Sequence, residues 1–176
     1  MKNYLIVLVF VCFTFICTSQ QIQYGVRGAL NISNLDFDPD PSLVNEHRNG
    51  FAFGGFVDFG ITEDISILTE LQWSAEGGKA ESLRADYIQL PILVRFSVLD
   101  RIVLGAGPQV ALKTWENQDS FSTFAFSVVA GVEYMITDEL FLDARYSYGF
   151  SNILDQDLTD NSAKNHVMQF GFGIKI

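Results

Sequence analysis

Apolar and polar residues alternate along most of the chain, and the alternation is clearest in ISILTELQWSAE, residues 65–76. Apolar residues such as Ile65 and Ile67 occupy one parity of positions, and polar residues such as Glu70 and Gln72 occupy the other. This alternation predicts a β-strand with one apolar and one polar face, because successive side chains point to opposite sides of a strand. Similar stretches predict eight strands, at residues 22–33, 50–61, 65–76, 84–98, 101–114, 123–136, 140–151 and 166–176.

The connections between these strands alternate in length. Short turns are predicted at residues 62–64, 99–100 and 137–139. Longer polar loops are predicted at residues 34–49, 77–83, 115–122 and 152–165. Short turns at one end and long loops at the other are typical of outer-membrane barrels. The predicted fold is therefore all-β, a closed antiparallel up-and-down eight-stranded transmembrane β-barrel, with both termini on the short-turn side, in the periplasm.

The apolar face of the predicted strands is crowded with aromatic residues, which are too bulky for the interior of an eight-stranded barrel. Near the long loops these are Phe51, Phe53, Trp73, Phe124, Phe126, Tyr148 and Phe150, and near the short turns they are Tyr24, Phe59, Phe96 and Tyr134. Two such belts mark the two membrane–water interfaces. We therefore expect the apolar face to contact lipid. The alternative is a soluble lipid carrier, a lipocalin-like barrel with its apolar face around a ligand.

The chain begins with a segment that is typical of a secretory signal peptide. A lysine precedes an apolar run at residues 4–17, and small residues follow it. We predict that residues 1–19 are removed and that residues 20–176 form the barrel. The run is shorter than the ~20 residues that a spanning helix needs, although a retained anchor is the alternative. Both cysteines, Cys12 and Cys17, lie in this segment, so we expect no disulfide in the mature chain.

Composition narrows the possible partners and cofactors. The formal net charge is −10 at pH 7, whereas nucleic-acid binding needs a basic face, so no nucleic-acid partner is expected. The sequence contains no Gly-rich phosphate loop and no metal-ligand spacing of His and Glu. We therefore predict no cofactor and no metal site.

Several strands resemble a known family. The stretches YIQLPILVRFSV (residues 87–98), GAGPQVAL (residues 105–112) and FSVVAGVEYMITDELFLDARYSYGFSNI (residues 126–153), with the closing HVMQFGFGIKI, are similar to the PorT-like outer-membrane β-barrel family, often called "porin family". The resemblance implies an eight-stranded barrel that the barrel-assembly machinery inserts into the outer membrane of a Gram-negative cell envelope. It implies location more than activity, since family members range from a secretion-system component to proteins without an assigned role.

The polar face carries a set of charges that we expect inside the barrel. This predicted lumen charge network consists of Arg27, Asp58, Glu70, Arg95, Lys113, Glu133, Asp143, Arg145 and Lys175. Charges removed from bulk water must pair or stay hydrated. We expect them to form a salt-bridged plug, because eight strands leave an interior just wide enough for side chains. The alternative is a narrow porin-like channel with a gated ion path.

The long loops contain two acidic stretches, with Asp36, Asp38 and Asp40 in the first and Asp155, Asp157 and Asp160 in the second. Neither has the Gly and distal Glu of a calcium loop, so we expect solvated surface loops. The alternative is weak bridging of divalent cations to lipopolysaccharide.

Catalytic chemistry has few candidates, because the chain has only His47 and His166, with Ser151 or Ser162 as possible nucleophiles beside His166. No triad is evident, and we predict that the protein is not an enzyme; a lipid A-modifying enzyme is the less favoured alternative. The favoured function is a structural or interaction role for a small barrel, associated with secretion or the envelope. Its expected partners are outer-membrane lipid, lipopolysaccharide and a protein bound through the loops, and we expect a monomer.

Overall fold

A computed structural model of the protein describes residues 21–38, 46–116, 121–154 and 162–176. The predicted signal segment, residues 1–19, lies outside the described residues, as do Asp40, Asp155, Asp157 and Asp160. The strands are β1 (Ile22–Asp38), β2 (Arg48–Gly60), β3 (Ile65–Gly77), β4 (Arg84–Leu99), β5 (Ile102–Glu116), β6 (Phe124–Met135), β7 (Leu140–Gly149) and β8 (Ser162–Lys175). A short 3₁₀ helix, Glu81–Leu83, lies between β3 and β4.

Each strand pairs antiparallel with its neighbours in the chain, and β1 also pairs with β8 to close the barrel. The closing pairs run from Gly25 opposite Lys175 to Asp38 opposite Ser162. Closure removes the unpaired strand edges, which a membrane protein cannot expose to hydrocarbon. The predicted eight-stranded up-and-down barrel is confirmed. In the part of the chain that the structure describes, no helix is both long and apolar enough to cross a membrane.

Two of the short turns use the same local chemistry. The Thr62 hydroxyl accepts a hydrogen bond from the amide of Ile65 at 3.0 Å, and the Thr137 hydroxyl accepts one from the amide of Leu140 at 3.0 Å. A side-chain hydroxyl that bonds the backbone a few residues ahead favours a turn over a continued strand. Threonine at the first turn position therefore fixes the points at which β3 and β7 begin.

The largest error of the sequence prediction concerns β1 and β8, which are longer than predicted. β1 continues past residue 33 to Asp38, and β8 begins at Ser162 rather than at residue 166. Asp36 and Asp38, predicted to lie in a loop, are therefore on a strand. Alternation continues there with polar residues outward and Leu35 inward. The prediction relied on an apolar outward face, and that rule fails where a strand extends beyond the lipid.

The outward face of the barrel is apolar over the middle of every strand. The aromatic residues of both predicted belts, except Trp73, are exposed on this outward face, toward the ends of the strands. Phe53 and Phe124 near the long loops and Tyr24 near the short turns each have 56% of their surface exposed. Trp73 is half-buried because it packs against Phe51 and Phe53, with ring centroids 5.2 and 5.4 Å away. A surface of this kind is unfavourable in water and is suited to lipid.

Candidate functional site: the barrel lumen

The lumen nearest the short turns is lined by four buried charged residues, which we call the mouth network: Asp58, Arg95, Glu133 and Lys175. The Arg95 guanidinium bonds the Asp58 carboxylate through one nitrogen, and through the other it bonds Glu133 Oε1 at 2.5 Å. The Lys175 ammonium donates to the same Glu133 oxygen at 2.9 Å. β2, β4, β6 and β8 each contribute one member, so this network crosses the lumen and ties alternate strands together.

A second group lies deeper and is called here the central network: Arg27, Glu70, Asp143 and Arg145. Arg27 Nε lies 2.7 Å from Asp143 Oδ2, and Arg145 Nε lies 3.0 Å from the same oxygen. Arg145 Nη1 donates to Glu70 Oε2 at 2.6 Å, and Arg27 Nη1 lies 3.7 Å from Glu70 Oε1. Two arginines and two carboxylates alternate around a ring, so each charge has neighbours of opposite sign.

Glycines make room for these large side chains. A Cβ atom at Gly171 would lie 1.9 Å from Asp143 Oδ1 and 2.8 Å from Arg27 Nε. At Gly131 it would lie 2.8 Å from Arg145 Cγ. The large charged side chains can therefore turn into the narrow interior because the neighbouring strand presents no side chain beside them.

The lumen also contains an apolar cluster that the sequence interpretation missed. Its members are Phe56, Leu68, Leu93, Val129 and Phe141. The inward face was described as polar from the sequence, and these five apolar positions on it were not identified. The cluster fills space between the ion pairs, and the Lys175 ammonium lies 5.3 Å above the Phe141 ring. Exclusion of water from around the pairs strengthens their attraction.

Toward the long loops the lumen changes to neutral polar groups around one carboxylate, Glu76, which is 3% exposed. Glu76 accepts hydrogen bonds at 2.7 Å from Ser74 Oγ, Gln89 Nε2 and Asn165 Nδ2. Glu76 was not predicted as a lumen charge. It shares the parity of Glu70 along β3, and that parity was the signal available in the sequence.

An apolar lid closes the long-loop end of the lumen. It consists of Leu35, Ala85, Tyr87, Ala111, Phe121, Ile153, Leu154 and Ala163. Phe121, Ile153 and Leu154 come from the connections that follow β5 and β7, and they fold inward through backbone bonds. Phe121 forms a β-bridge with Leu154, and the amide of Ile153 donates to the Ala163 carbonyl at 2.9 Å. The loops themselves therefore seal this end.

Eight of the nine predicted lumen charges lie in the mouth and central networks. Lys113 does not join them. Its ammonium pairs with Glu116, three residues along β5, and also bonds the Phe121 carbonyl under the lid. The register of β5 against β4 shifts between Asp86 and Tyr87, and Lys113 lies opposite Tyr87 in the half-buried upper part of the barrel, far from the acidic partners first expected.

Open space in the lumen is unevenly distributed. A cavity of about 610 Å³ lies at the short-turn end and is lined by turn residues together with Asp58, Arg95 and Lys175. Two cavities that lie deeper are about 20 Å³ each, which is room for one water molecule in each. The mouth network is therefore reached by water from the short-turn side, while the interior beyond it is filled by side chains.

The predicted catalytic candidates do not assemble. His166 Nε2 lies 3.9 Å from Asp36 Oδ2, and the His166 ring lies 4.7 Å from that of Tyr148. The Ser151 hydroxyl accepts a bond from the Phe126 amide, and the Ser162 hydroxyl bonds the Asp38 carbonyl. Both serines are thus engaged by backbone rather than by the histidine.

Comparison with known proteins agrees with this architecture. The family model described as "Outer membrane protein beta-barrel domain" matches residues 6–175. Among solved structures, the chain is similar to Neisserial surface protein A, with 16% identity, a TM-score of 0.59, and coverage of 87% of this chain and 97% of that one. It is also similar to the attachment invasion locus protein Ail of Yersinia pestis, with 16% identity, a TM-score of 0.54, and coverage of 89% and 99%. No curated protein matches the chain significantly. Identities this low show the fold alone.

Proposed function

Since the chain belongs to the family of outer-membrane β-barrel domains, we propose that it acts in that membrane as a non-conducting structural or interaction protein. One observation carries the proposal, namely the filling of the lumen. Two ion-pair networks, with an apolar cluster between them, and the apolar lid at the long-loop end occupy the interior. An interior packed in this way stabilises the barrel and leaves the loops as the surface available for binding.

The proposed orientation places the termini and short turns in the periplasm and the long loops outside the cell. Short periplasmic turns and long external loops are the usual arrangement in this class. The loop end carries exposed charges of both signs, including Glu46, Lys79 and Lys164, beyond the apolar band. Such groups suit contacts with lipopolysaccharide head groups or with a protein partner. The barrel acts as a monomer, and residues 1–19 serve as its export signal.

The finer family assignment rests on the stretches at residues 87–98 and 105–112, which resemble PorT-like barrels. That likeness supports a role connected with secretion or the envelope.

A photo-crosslinking side chain at position 164 in place of Lys164, introduced in intact cells, should capture the loop partner. The matched probe at Asp138, in a short turn, should capture a different set of proteins. Identical products from both positions would contradict a role for the loops.

Planar-bilayer recording tests whether the lumen is closed. The purified, refolded chain should produce no stable unitary openings, because ion pairs and the lid fill the interior. A narrow porin-like channel, which the large cavity at the short-turn end favours, would give stable openings. Openings whose ion selectivity changes in Glu70→Lys or Arg95→Glu would overturn the non-conducting role.

The proposed role includes no enzymatic activity, because the histidine and serine candidates do not form a reactive pair. Overexpression should leave the mass spectrum of lipid A unchanged. A modification of lipid A that appears with the wild-type chain and disappears in His166→Ala would overturn this part of the proposal.

A further inference from the structure

The buried charges of the barrel do not balance. Among the described residues, nine Asp, Glu, Lys and Arg side chains are buried, four of them cationic and five carboxylic: Arg27, Arg95, Arg145, Lys175, Asp58, Glu70, Glu76, Glu133 and Asp143. Eight of these form ion pairs with one another. The half-buried pairs Arg48–Asp86 and Lys113–Glu116 are each neutral overall. One negative charge is therefore left over, and it belongs to Glu76.

The hydrogen bonds of Glu76 come from neutral side chains. Ser74, Gln89 and Asn165 each donate to its carboxylate at 2.7 Å. The Arg48 guanidinium contacts Glu76 through its backbone, because its Nη1 donates to the backbone carbonyl of Glu76 at 2.5 Å while its Nη2 bonds Asp86. Three donors directed at two oxygens suit a carboxylate, which accepts at both oxygens. A cation in contact with this carboxylate would compensate the buried charge.

A small cavity adjoins this carboxylate, and we call it the Glu76 cavity. Its volume is about 20 Å³, and its walls include Tyr87, Asn165, Ser127 and Ser147 beside Glu76. The Tyr87 hydroxyl and Asn165 Oδ1 are buried there and have no hydrogen-bond partner among the described residues, and Tyr87 is only 1% exposed. Buried oxygens are rarely left unpaired, because each loses its hydration on burial. The cavity therefore presents one anionic and several neutral oxygens to a space of atomic size.

We propose that the Glu76 cavity binds one monovalent cation of the size of sodium. A water molecule would pair with the oxygens but would leave the negative charge uncompensated. A divalent ion is less suited, since one carboxylate supplies a single charge, and the described residues contain no group of three or more His, Cys, Asp or Glu side chains that could hold a metal. Phe121 and Ile153 of the apolar lid cover the site, so exchange of the ion is slow. The site does not depend on what the loops bind.

The test compares unfolding of the full refolded chain in sodium chloride and in N-methylglucamine chloride at equal ionic strength. The organic cation is too large for the cavity, so it serves as the reference. Sodium bound to the folded state alone should raise the folding equilibrium constant about tenfold when its concentration is roughly nine times the dissociation constant. Wild-type protein that unfolds identically in the two salts would overturn the proposal.

Two variants and a control make the test specific to this cavity. Glu76→Gln removes the charge and should abolish the difference between the salts. Tyr87→Phe removes only a hydroxyl that has no hydrogen bond to any described residue, and it should raise the half-saturating sodium concentration about two- to tenfold, the usual loss for one polar contact. Glu63→Gln, at an exposed short turn, should keep the full sodium effect. A sodium effect of unchanged size and midpoint in Tyr87→Phe would show that the ion binds elsewhere and would overturn the site.

Discussion

Arg145 and Phe121 fill two halves of one lumen, yet the protein depends on them in different ways. Arg145 lies between Glu70 and Asp143, so its charge is needed by two buried partners. Phe121 lies in the apolar lid, where its neighbours, including Leu35 and Ile153, need only its volume. Near the short turns and at the centre the interior is held by opposite charges. Near the long loops it is closed by apolar packing over neutral polar groups and the Glu76 carboxylate.

The two ends of this narrow lumen are closed by different interactions, so substitutions at the two ends should reduce stability in different ways. Removal of one member of a buried ion-pair network leaves a charge without compensation, which is costly. Removal of an apolar side chain leaves a cavity, and surrounding loop residues can partly fill it. Three members of the lid, Phe121, Ile153 and Leu154, lie in connecting segments, which vary and move more easily than strands. We therefore expect the two halves to fail by different routes when altered.

The largest effect is expected for Arg145→Ala, because Glu70 and Asp143 then share Arg27 alone. The free energy of unfolding should fall by about 3–5 kcal/mol, as for other broken buried pairs. Urea unfolding in lipid vesicles, followed by tryptophan fluorescence, measures the change. The matched control, Arg101→Ala at an exposed short turn, should change the value by less than about 0.5 kcal/mol. Equal losses in both variants would remove the distinction between the two halves.

For Phe121→Ala the free energy of unfolding should fall by about 3 kcal/mol. This is at the low end for a buried phenylalanine, because the loops can partly fill the cavity. The more specific readout is entry of water into the upper lumen. Ser147→Cys, in the wall of the Glu76 cavity, should react with a charged thiol reagent only when Phe121 is also removed. Phe124→Ala, on the outward face, should leave that cysteine unreactive. A cysteine that reacts equally with and without Phe121 would show that the lid does not exclude water.

Gly171→Ala should lower the free energy of unfolding by about 1–3 kcal/mol, because the new methyl group would overlap the Asp143 carboxylate. Overpacking typically reduces stability by that amount. Gly28→Ala is the matched control, because the nearest atom to its Cβ is 4.0 Å away, at the Ala52 carbonyl. That variant should be neutral or more stable by about 0.4–1 kcal/mol through a less flexible unfolded chain. Unfolding in urea compares the two. If both substitutions were harmless, the central network would not be as tightly packed as described.

The smallest effect on the free energy of unfolding is expected for the exposed ion pair between Lys79 and Glu46, outside the barrel. The hydrogen bond from the Lys79 ammonium lowers the pKa of the Glu46 carboxyl. The pair therefore favours folding above the unfolded-state pKa, and the contribution is lost as pH falls through the lowered value. Lys79→Met should return the pKa of Glu46 toward its ordinary range in an NMR titration, with no measurable change in unfolding, because exposed pairs contribute little. Lys164→Met should not alter the Glu46 titration; if it did, a general change of surface charge would explain the shift.

Alternation along the chain was sufficient to predict the fold, because each strand has lipid on one side and a packed lumen on the other. The same rule placed Arg27, Glu70 and Arg145 on the inner face without any knowledge of their partners. The specific pairings could not be predicted, since they depend on register between strands that are distant in sequence, as with Arg27 and Asp143. Glu76 lies within the predicted third strand and has the parity of Glu70, yet it was not included among the predicted lumen charges.

The apolar lid could not be predicted from the sequence for a different reason. Phe121, Ile153 and Leu154 belong to connections without any regular period, and only the folded loops bring them together. Lys113 was misplaced because alternation gives the face of a strand on which a residue lies, but not its position along the barrel axis relative to distant charges. Lys113 lies opposite Tyr87 near the long-loop end of β5, and the register shift just beyond it, before Trp115, leaves no mark in a pattern of alternating residues.

The central claim is that apolar side chains face lipid and polar ones face a sealed lumen. Ser127 and Val128 are adjacent on β6 and point to opposite sides, so cysteines placed at each position, one at a time, test it most directly. In intact cells neither cysteine should react with a charged, membrane-impermeant thiol reagent. In refolded protein, a fluorophore attached beforehand at Val128→Cys should be quenched by quenchers carried on lipids, whereas a fluorophore at Ser127→Cys should not. Rapid labelling of Val128→Cys from water, with lipid quenching at Ser127→Cys, would contradict the account.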